Sequence, residues 1–457
     1  MRHAQPTASS QQSSSMKNAQ DLAPPTTRCE PQPLSIAQAS SLIAERVQGL
    51  LHGLAPQAMD MALDKAFGRT LASDIISPIQ VPAYTNSAMD GFAFRMPEKP
   101  QAIENPCRFV IVGESLAGKP FEGNIRFDEC IKIMTGAVMP KDVDTVAPFE
   151  SVQLEPGKMK GSKPTIGDGV QIDCSGFNAG DNRRLAGEDI AKGSCILRKG
   201  HCLHSASMGL VASLGFSQVQ VQSALKVALF STGDELQRPG ETLKSGMIFD
   251  SNRYTLIGLL QGLGCDVIDL GIVPDNPQAL KQTLIKATEL AHVILTSGGV
   301  SDGDADFTKA LMQELGEVFF WKIAMRPGRP LAFGSLSKRL FFGLPGNPVA
   351  VMVTFLSLVR PALLQLMGRE EDAGPLRATS LALCEQPIKK KKGRTEFQRG
   401  MTRRNSKGEL CVSLSGHQGS GILSSMVQGD CLIVLEHDRE DVSAQEWVTI
   451  WPLAGLI

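Results

Sequence analysis

Five segments of the sequence place glycine, hydroxyl, carboxylate or guanidinium groups directly after short apolar runs. They are residues 231–235, 271–275, 296–306, 326–330 and 344–348. Glycines let backbone N–H groups approach an anion without a Cβ in the way, and arginines bind oxyanions through forked donors. These residue types therefore predict a site for phosphate or a similar oxyanion.

Carboxylates in the same segments predict a divalent metal at that site. Asp234, Glu235, Asp275, Asp304 and Asp306 carry hard oxygen ligands of the kind that Mg²⁺ prefers. The helix that follows residues 298–299 is expected to point its positive end at the anion. One glycine-rich loop alone is weak evidence, since turns explain most such loops, but five compatible segments favour a site.

A second cluster of polar segments lies upstream, at residues 81–93, 134–137 and 182–189. These segments are rich in turn-forming residues, and the last one sets Arg183 and Arg184 beside Glu188 and Asp189. Taken alone, each segment is more simply explained as a turn whose polar groups bond one another.

The elements that must position the first site lie between residues 225 and 368, where short apolar runs alternate with helical patterns. The predicted strands are residues 227–230, 267–270, 293–296, 318–323 and 340–342, and the predicted helices end near residues 262, 290, 315 and 367. Asn276 and Pro277 supply an N-cap and a first-turn proline. This alternation predicts a doubly wound α/β domain with a mostly parallel sheet, which binds ligands outside the carboxyl ends of its strands.

The remaining chain is predicted to form an N-terminal domain with an inserted small β domain, and a C-terminal β-barrel-like domain. Ser35 and Gln38 resemble a capping box, which opens a helix of the first domain. The predicted boundaries are a disordered tail at 1–33, a discontinuous N-terminal domain at 34–80 and 175–222, an inserted β domain at 81–174, the α/β domain at 223–370 and the C-terminal domain at 371–457.

Composition argues against several classes of partner. Lys plus Arg is 46 and Asp plus Glu is 47, and aromatic residues make up 5% of the chain, so we expect no nucleic-acid binding. The most apolar stretch, residues 349–367, is interrupted by Thr354, Ser357 and Arg360, which predicts a buried helix and no membrane span. No apolar secretory segment is visible at the N-terminus, so we expect a cytoplasmic protein.

The ten cysteines contain no Cys-x-x-Cys pair, which indicates reduced core thiols. Cys202 lies between His201 and His204, where a turn entering a helix near Ser205 is a simpler interpretation than a metal site. The lysine run at residues 389–392 is predicted to be a solvated hairpin turn.

The motifs resemble one known family. Residues 86–93 read Asn-Ser-Ala-Met-Asp-Gly-Phe-Ala, residues 134–137 read Met-Thr-Gly-Ala, and residues 344–348 read Leu-Pro-Gly-Asn-Pro. With residues 184–189, 231–236 and 297–303, they are similar to the MoeA/gephyrin E-domain family in the family's order. The resemblance covers residues 34–455.

The resemblance implies a molybdopterin molybdenumtransferase that acts as a homodimer. Its implied substrates are adenylylated molybdopterin and molybdate. It would cleave the adenylyl phosphoanhydride with Mg²⁺, release AMP and place molybdenum on the dithiolene sulfurs. Transient contacts with the adenylyltransferase and with recipient molybdoenzymes are also implied.

By the same resemblance, a catalytic role falls to acidic and hydroxyl side chains in or near the cleft, namely Asp90, Thr135, Glu188, Asp189, Glu235 and Asp306. The implied metal ligands are Asp234, Glu235, Asp275 and Asp306. The implied substrate-binding residues are Arg184, Ser297, Gly298, Gly299, Ser301, Arg326, Arg329, Pro345, Gly346, Asn347, Pro348 and Ser420. Arg326 and Arg329 stand where the family often has lysine, so the forked donors of a guanidinium replace the single ammonium group of a lysine.

Two other functions are compatible with parts of the sequence. A molybdopterin adenylyltransferase has a related α/β domain, but it can consist of that domain alone. A non-enzymatic scaffold is the second alternative, because gephyrin also clusters receptors. The three further domains predicted here favour the molybdenumtransferase.

Overall fold

The computed structural model describes residues 33–54, 56–98, 106–154, 164–300, 307–373 and 379–457. The predicted tail at 1–33 lies outside the described residues except for its last residue. Ser301, Asp304 and Asp306, to which the sequence analysis assigned roles, also lie outside them.

The central domain is a six-stranded sheet. In spatial order its strands are Asp266–Val273, Lys226–Thr232, Val293–Ser297, Arg339–Leu344, Pro330–Leu336 and Gly316–Lys322. The first four strands are parallel, and the last two pairings are antiparallel. The predicted doubly wound α/β domain is therefore confirmed.

Helices cover both faces of this sheet because successive strand residues point to opposite sides. Val227 and Leu229 face the core shared with Ser251–Gly262 and Pro348–Thr354. Ala228 and Phe230 face the core shared with the other two helices, Pro277–Leu290 and Phe307–Leu315. Asn276 caps its helix by accepting the N–H groups of residues 278 and 279, as predicted.

One strand of the central sheet was not predicted from the sequence. Pro330–Leu336 runs antiparallel between its two neighbours, whereas residue 330 was placed in a loop. The proline hid this strand because proline cannot donate to a ladder, yet a first strand position tolerates it.

The long apolar helix is part of this core. It runs from Pro348 to Leu366 with a π-helical turn at Phe355–Val359. Its length and apolarity would suffice to cross a membrane, but 83% of its most apolar window is buried inside the fold. The hydroxyls of Thr354 and Ser357 donate to the carbonyls of Ala350 and Val353 at 2.7 Å, so the predicted buried helix is confirmed.

The first domain consists of paired short strands around one helix. Ala58–Ala62 pairs with Gln218–Gln222, and Ile75–Ile76 pairs with Cys195–Leu197. Helix Ser205–Ser213 begins after His204, whose ring accepts the backbone N–H of Ser207. The predicted turn into this helix is therefore confirmed.

The predicted boundaries implied that the N-terminal helix packs in the first domain, but it packs against the α/β domain instead. Helix Ile36–Leu54 buries Ala39, Ile43 and Val47 in the core of the α/β domain, against Arg360–Leu366. The amphipathic pattern predicted its buried face correctly. Such a pattern does not say which domain will cover that face.

The inserted domain is a six-stranded sheet, mostly antiparallel, whose cores pack on both faces. In spatial order its strands are Thr145–Pro148, Gly91–Phe94, Glu129–Ile133, Cys107–Ser115, Gly169–Ile172 and Val152–Leu154. Asn86–Ser87 pairs with Arg183–Arg184, so the two connections to the first domain run side by side.

The C-terminal domain is a closed barrel. Its strands are Ser380–Cys384, Thr395–Arg404, Leu410–Leu414, Cys431–Leu435 and Trp447–Pro452. The barrel closes because Thr395–Arg404 pairs with both Leu410–Leu414 and Cys431–Leu435. Met325–Arg326 pairs with the start of Thr395–Arg404, so a short strand of the α/β domain joins the sheet of the barrel.

The placement of the N-terminal helix predicts the effect of a cavity. Ile43→Ala should reduce the free energy of unfolding of the α/β domain by ~2–5 kcal/mol, as expected for a buried isoleucine. Denaturant unfolding followed by fluorescence of Trp321, with Trp447 and Trp451 replaced by phenylalanine, measures this domain. Ser41→Ala, on the exposed face of the same helix, is the control and should change stability by less than ~0.5 kcal/mol. An unshifted Trp321 transition in Ile43→Ala would contradict the placement.

Candidate active site

The carboxyl ends of the parallel strands meet at one edge of the central sheet. Thr232, Val273, Ser297 and Leu344 are the last residues of the four parallel strands, and the segments that follow them gather there. Gly316–Lys322 points the same way, because two antiparallel pairings separate it from Arg339–Leu344. All five predicted segments therefore begin at this edge.

Two of the predicted metal ligands contact each other there. The backbone N–H of Asp275 donates to Asp234 Oδ1 at 3.1 Å, and Thr232 Oγ1 donates to Asp275 Oδ1 at 2.5 Å. Glu235 is exposed and lines a cavity of about 360 Å³ at the same edge. Within the described ranges no three acidic, cysteine or histidine side chains form a metal-binding group. The fourth predicted ligand, Asp306, lies outside those ranges.

The two glycines after Ser297 are required by close packing. Gly298 has a φ of +90°, and a Cβ on it would lie 2.3 Å from the carbonyl oxygen of Thr232. Its N–H donates to the carbonyl of Leu344. Beside the predicted role in anion binding, Gly298 therefore allows three strand ends to approach one another. The helix beyond starts at Phe307, after a segment outside the described residues, so its predicted direction toward an anion stays a prediction.

Asn252 is a site residue that the sequence analysis missed. Its Nδ2 donates to Ser297 Oγ at 2.8 Å and to the carbonyl oxygen of Gly346 at 2.7 Å, which joins two of the loops. Its sequence signal is its place two residues after Asp250, which caps helix Ser251–Gly262, and a cap explains such a residue without a site.

The segment at 344–348 connects the α/β domain to the barrel. Pro345, Gly346, Asn347 and Pro348 lie together at the start of the long helix, and the N–H of residue 349 donates to the carbonyl of Ser420 at 3.0 Å. Asn347 lines both the 360 Å³ cavity and a second cavity of about 980 Å³. The structure thus brings together the predicted residues of two domains.

The second cavity is lined by four cationic side chains, Arg326, Arg329, Lys389 and Arg394. Arg329 is exposed, and its guanidinium makes no hydrogen bond or ion pair with the described part of the chain. The loop between the first two arginines turns at Gly328, which has a φ of +103° and packs against Thr354. This arrangement suits the binding of an oxyanion.

The lysine run at 389–392 is only partly the solvated turn that we predicted. Lys389 and Lys392 are exposed, but Lys390 is buried and its Nζ donates to the carbonyl of His437 at 2.9 Å. In sequence a charge run is polar on every side, whereas the hairpin of the fold turns one lysine inward. The burial lowers the pKa of Lys390.

Arg399 is a second residue that sequence reasoning missed. It is buried, and its guanidinium donates to the carbonyls of His417 and Gly419 and to Ser425 Oγ at 3.0–3.1 Å. Burial, with repulsion from Arg326, lowers its pKa to about 10. Arg399 thereby holds the loop that carries Ser420 at the cavity.

The upstream cluster forms a separate site in the inserted domain and its connections. Asp90 Oδ1 accepts the backbone N–H of Thr135 at 2.6 Å and its hydroxyl at 2.7 Å. These two hydrogen bonds hold the pKa of Asp90 below its usual value, so Asp90 is ionised at neutral pH. The remaining predicted residues of this cluster lie on the adjoining segment, namely Arg184, Glu188 and Asp189.

The described residues of the two clusters belong to separate domains of the chain. Among the described residues, no hydrogen bond or ion pair joins Asp90 or Thr135 to the loops of the α/β domain. Their cores are also distinct, since the inserted domain packs around its own apolar residues. The family resemblance implies a cleft between the inserted domain of one chain and the α/β domain of another, and this shared cleft stays a prediction.

Three family models match the chain. The MoeA N-terminal region (domain I and II) matches residues 34–215, the probable molybdopterin binding domain matches residues 228–365, and the MoeA C-terminal region (domain IV) matches residues 382–453. The molybdopterin molybdenumtransferase of Haemophilus influenzae is 41% identical over 424 residues, which cover 93% of this chain and 100% of that protein.

Further relatives agree. The molybdopterin molybdenumtransferase of Synechococcus elongatus is 34% identical, over 82% of this chain and 90% of that protein. Gephyrin of Dictyostelium discoideum is 32% identical, over 82% of this chain and 56% of that protein. The crystal structure of the molybdopterin biosynthesis MoeA protein from Pyrococcus horikoshii OT3 has a TM-score of 0.74 at 27% identity, covering 92% of this chain and 99% of that one. By sequence and by fold, the chain belongs to the MoeA family.

Proposed function

We propose that this protein is a molybdopterin molybdenumtransferase, which inserts molybdenum from molybdate into adenylylated molybdopterin and releases AMP. The observation that carries the proposal is the pair of neighbouring cavities that share Asn347. One cavity offers glycine loops, hydroxyls and Glu235, which suit a nucleotide-linked substrate. The other is lined by four cations, which suit a free oxyanion.

A Mg²⁺ ion fits the donor chemistry at the edge of the sheet beside the 360 Å³ cavity, which Glu235 lines. Asp234 and Asp275 carry hard oxygen donors, and the backbone N–H of Asp275 donates to the Asp234 carboxylate; Glu235 is next along the chain. These residues, with Asp306, would hold the ion. When bound, it offsets the negative charge of the phosphoanhydride.

The residues of the site then have defined tasks in the proposed reaction. Ser297 and the glycine loops bind the phosphates, and Asn252 keeps two of these loops in register. Arg326 and Arg329 bind molybdate, and the loop of Ser420 closes the cavity from the barrel side. Asp90, ionised and held by Thr135, contributes a fixed negative charge on the opposite wall of the cleft.

A homodimer would bring the two clusters together. Tyr84, Met89 and Leu185 are exposed near Asp90, and Ile248 and Phe249 are exposed at the mouth of the smaller cavity. Exposed apolar side chains near a site are typical of a surface that a partner covers. We therefore propose that the inserted domain of one chain faces the α/β domain of its partner. We also propose a cytoplasmic location, with transient contacts to the adenylyltransferase and to recipient molybdoenzymes.

The reaction and its metal are tested together. With adenylylated molybdopterin, molybdate and Mg²⁺, the protein should release AMP and yield cofactor that activates an apo-molybdoenzyme. EDTA should stop AMP release, and added Mg²⁺ should restore it, because the phosphoanhydride charge is then offset again. Undiminished AMP release in EDTA would refute the metal's role. An adenylyltransferase would instead form the adenylylated substrate from ATP, and a scaffold would do neither.

The guanidinium of Arg329, which has no partner among the described residues, gives a second test. Arg329→Ala should weaken molybdate binding, measured by calorimetry, by ~1.5–3 kcal/mol, the range for charge-assisted hydrogen bonds. Arg329→Lys should recover part of the loss. Lys407→Ala, which removes an exposed cation from a turn of the barrel, is the control and should bind normally. Unchanged binding in Arg329→Ala would show that residues 326–330 are only a turn.

The shared site predicts complementation between inactive mutants. If Asp90→Ala and Glu235→Ala are each inactive as homodimers, a mixed dimer carries both lesions in one site and none in the other. Random mixing makes about half the dimers mixed, so co-expression should restore about a quarter of wild-type activity under two-fold symmetry. With mixed dimers confirmed by differently tagged chains, no recovery would refute the shared site.

A further inference from the structure

A buried carboxylate lies in the wall of the cation-lined cavity. Among the described residues that line this cavity, Glu396 is the one acidic side chain, and it is 1% exposed. A carboxylate beside an oxyanion site opposes anion binding by like-charge repulsion. Its presence there therefore requires a reason.

The contacts of Glu396 supply that reason. Nε of Arg394 donates a hydrogen bond to its Oε1 at 2.8 Å, and Nη2 of Arg394 forms an ion pair with the same oxygen at 2.8 Å. Its Oε2 lies 3.9 Å from Nη1 of Arg326. Gln398 Nε2 also donates to Oε2, at 3.5 Å. Glu396 thus contacts two of the four cations of the cavity, one from the α/β domain and one from the barrel.

Arg394 is only partly covered by this contact. Its side chain remains 31% exposed at the cavity, whereas the Glu396 side chain that holds it is buried. The hairpin that carries Arg394 is anchored by the N–H of Gly393, which donates to the carbonyl of His437, and by buried Lys390. One edge of the guanidinium is therefore fixed against Glu396, on a backbone that is itself held.

We propose that Arg394 is a third guanidinium of the oxyanion site and that Glu396 is a positioning residue, which orients Arg394 and Arg326 toward the bound anion. The proposal deepens the proposed function, since it takes this cavity as the molybdate site. Preorganised arginines lose less side-chain entropy when they bind an anion. Because Glu396 acts through its arginines, its effect on the anion depends on their presence.

This dependence predicts a change of sign. With Arg394 present, removing the Glu396 charge releases the guanidinium, so the anion binds more weakly. Without Arg394, Glu396 has lost its close partner and mainly repels the anion. In that background, removing its charge strengthens binding. A residue that only stabilises the barrel would lower affinity in both backgrounds.

The experiment is a double-mutant cycle with molybdate as the calorimetric probe and inorganic phosphate as a second anion. Glu396→Gln should raise the Kd about threefold to tenfold, and Arg394→Ala about tenfold to a hundredfold, since charge-assisted hydrogen bonds are lost. The double variant should bind at least about threefold more tightly than Arg394→Ala. Arg394→Lys should lie between wild type and Arg394→Ala.

Glu385→Gln is the matched control, because it breaks an ion pair with Arg403 on the same barrel, away from this cavity. Its Kd should stay within about twofold of wild type, and thermal unfolding identifies any variant that fails to fold. If Glu396→Gln does not fold, Arg394→Lys and Arg394→Ala still test the third guanidinium, and equal wild-type affinity in both overturns it.

Two results would overturn the inference while leaving the proposed function in place. One is a double variant that binds no better than Arg394→Ala, and the other is normal anion affinity in Arg394→Ala. A wild-type protein that binds neither anion would also overturn it. Loss of the proposed function shows separately, as absent AMP release and absent cofactor in the wild-type assay.

Discussion

The parallel pairing of Lys226–Thr232 with both of its neighbours is the constraint on which the site depends. Parallel strands end at the same edge, so the polar segments after Thr232, Val273 and Ser297 must meet there. Their backbones approach so closely that Gly298 leaves no space for a Cβ beside the Thr232 carbonyl. The sheet therefore determines where the polar groups of the site lie, and the loops adjust only their local geometry.

The barrel completes the site through a few polar contacts. The carbonyl of Ser420 accepts the N–H of residue 349 at the start of the long helix, and Arg399 holds the loop that carries Ser420. The burial of this guanidinium is tolerated because two backbone carbonyls and the hydroxyl of Ser425 accept from its donors. The same barrel adds Arg394 and Glu396, so the cavity between the domains takes its charge from both sides.

This distribution of charge divides the cleft into regions of opposite sign. Asp234, Glu235 and Asp275 lie at the edge of the sheet, while the arginines lie beyond the segment at 344–348. Carboxylates attract a metal and arginines attract an oxyanion, so the two kinds of group would interfere if they were mixed. The segment that contains Pro345 and Asn347 separates them, which gives the Leu-Pro-Gly-Asn-Pro motif a physical role.

The sequence by itself determined the local features of this protein. Apolar runs located nearly every core strand, Asn276 and Pro277 marked a helix start, and the motif strings identified the family. Only the tertiary structure decided which surfaces pair. The face of Ile36–Leu54 is readable from periodicity, but its partner is not, and Pro330–Leu336 becomes a strand through pairing on both sides. Glu396 and Arg394 look like ordinary surface charges in sequence, because burial and charge pairing depend on segments far apart in the chain.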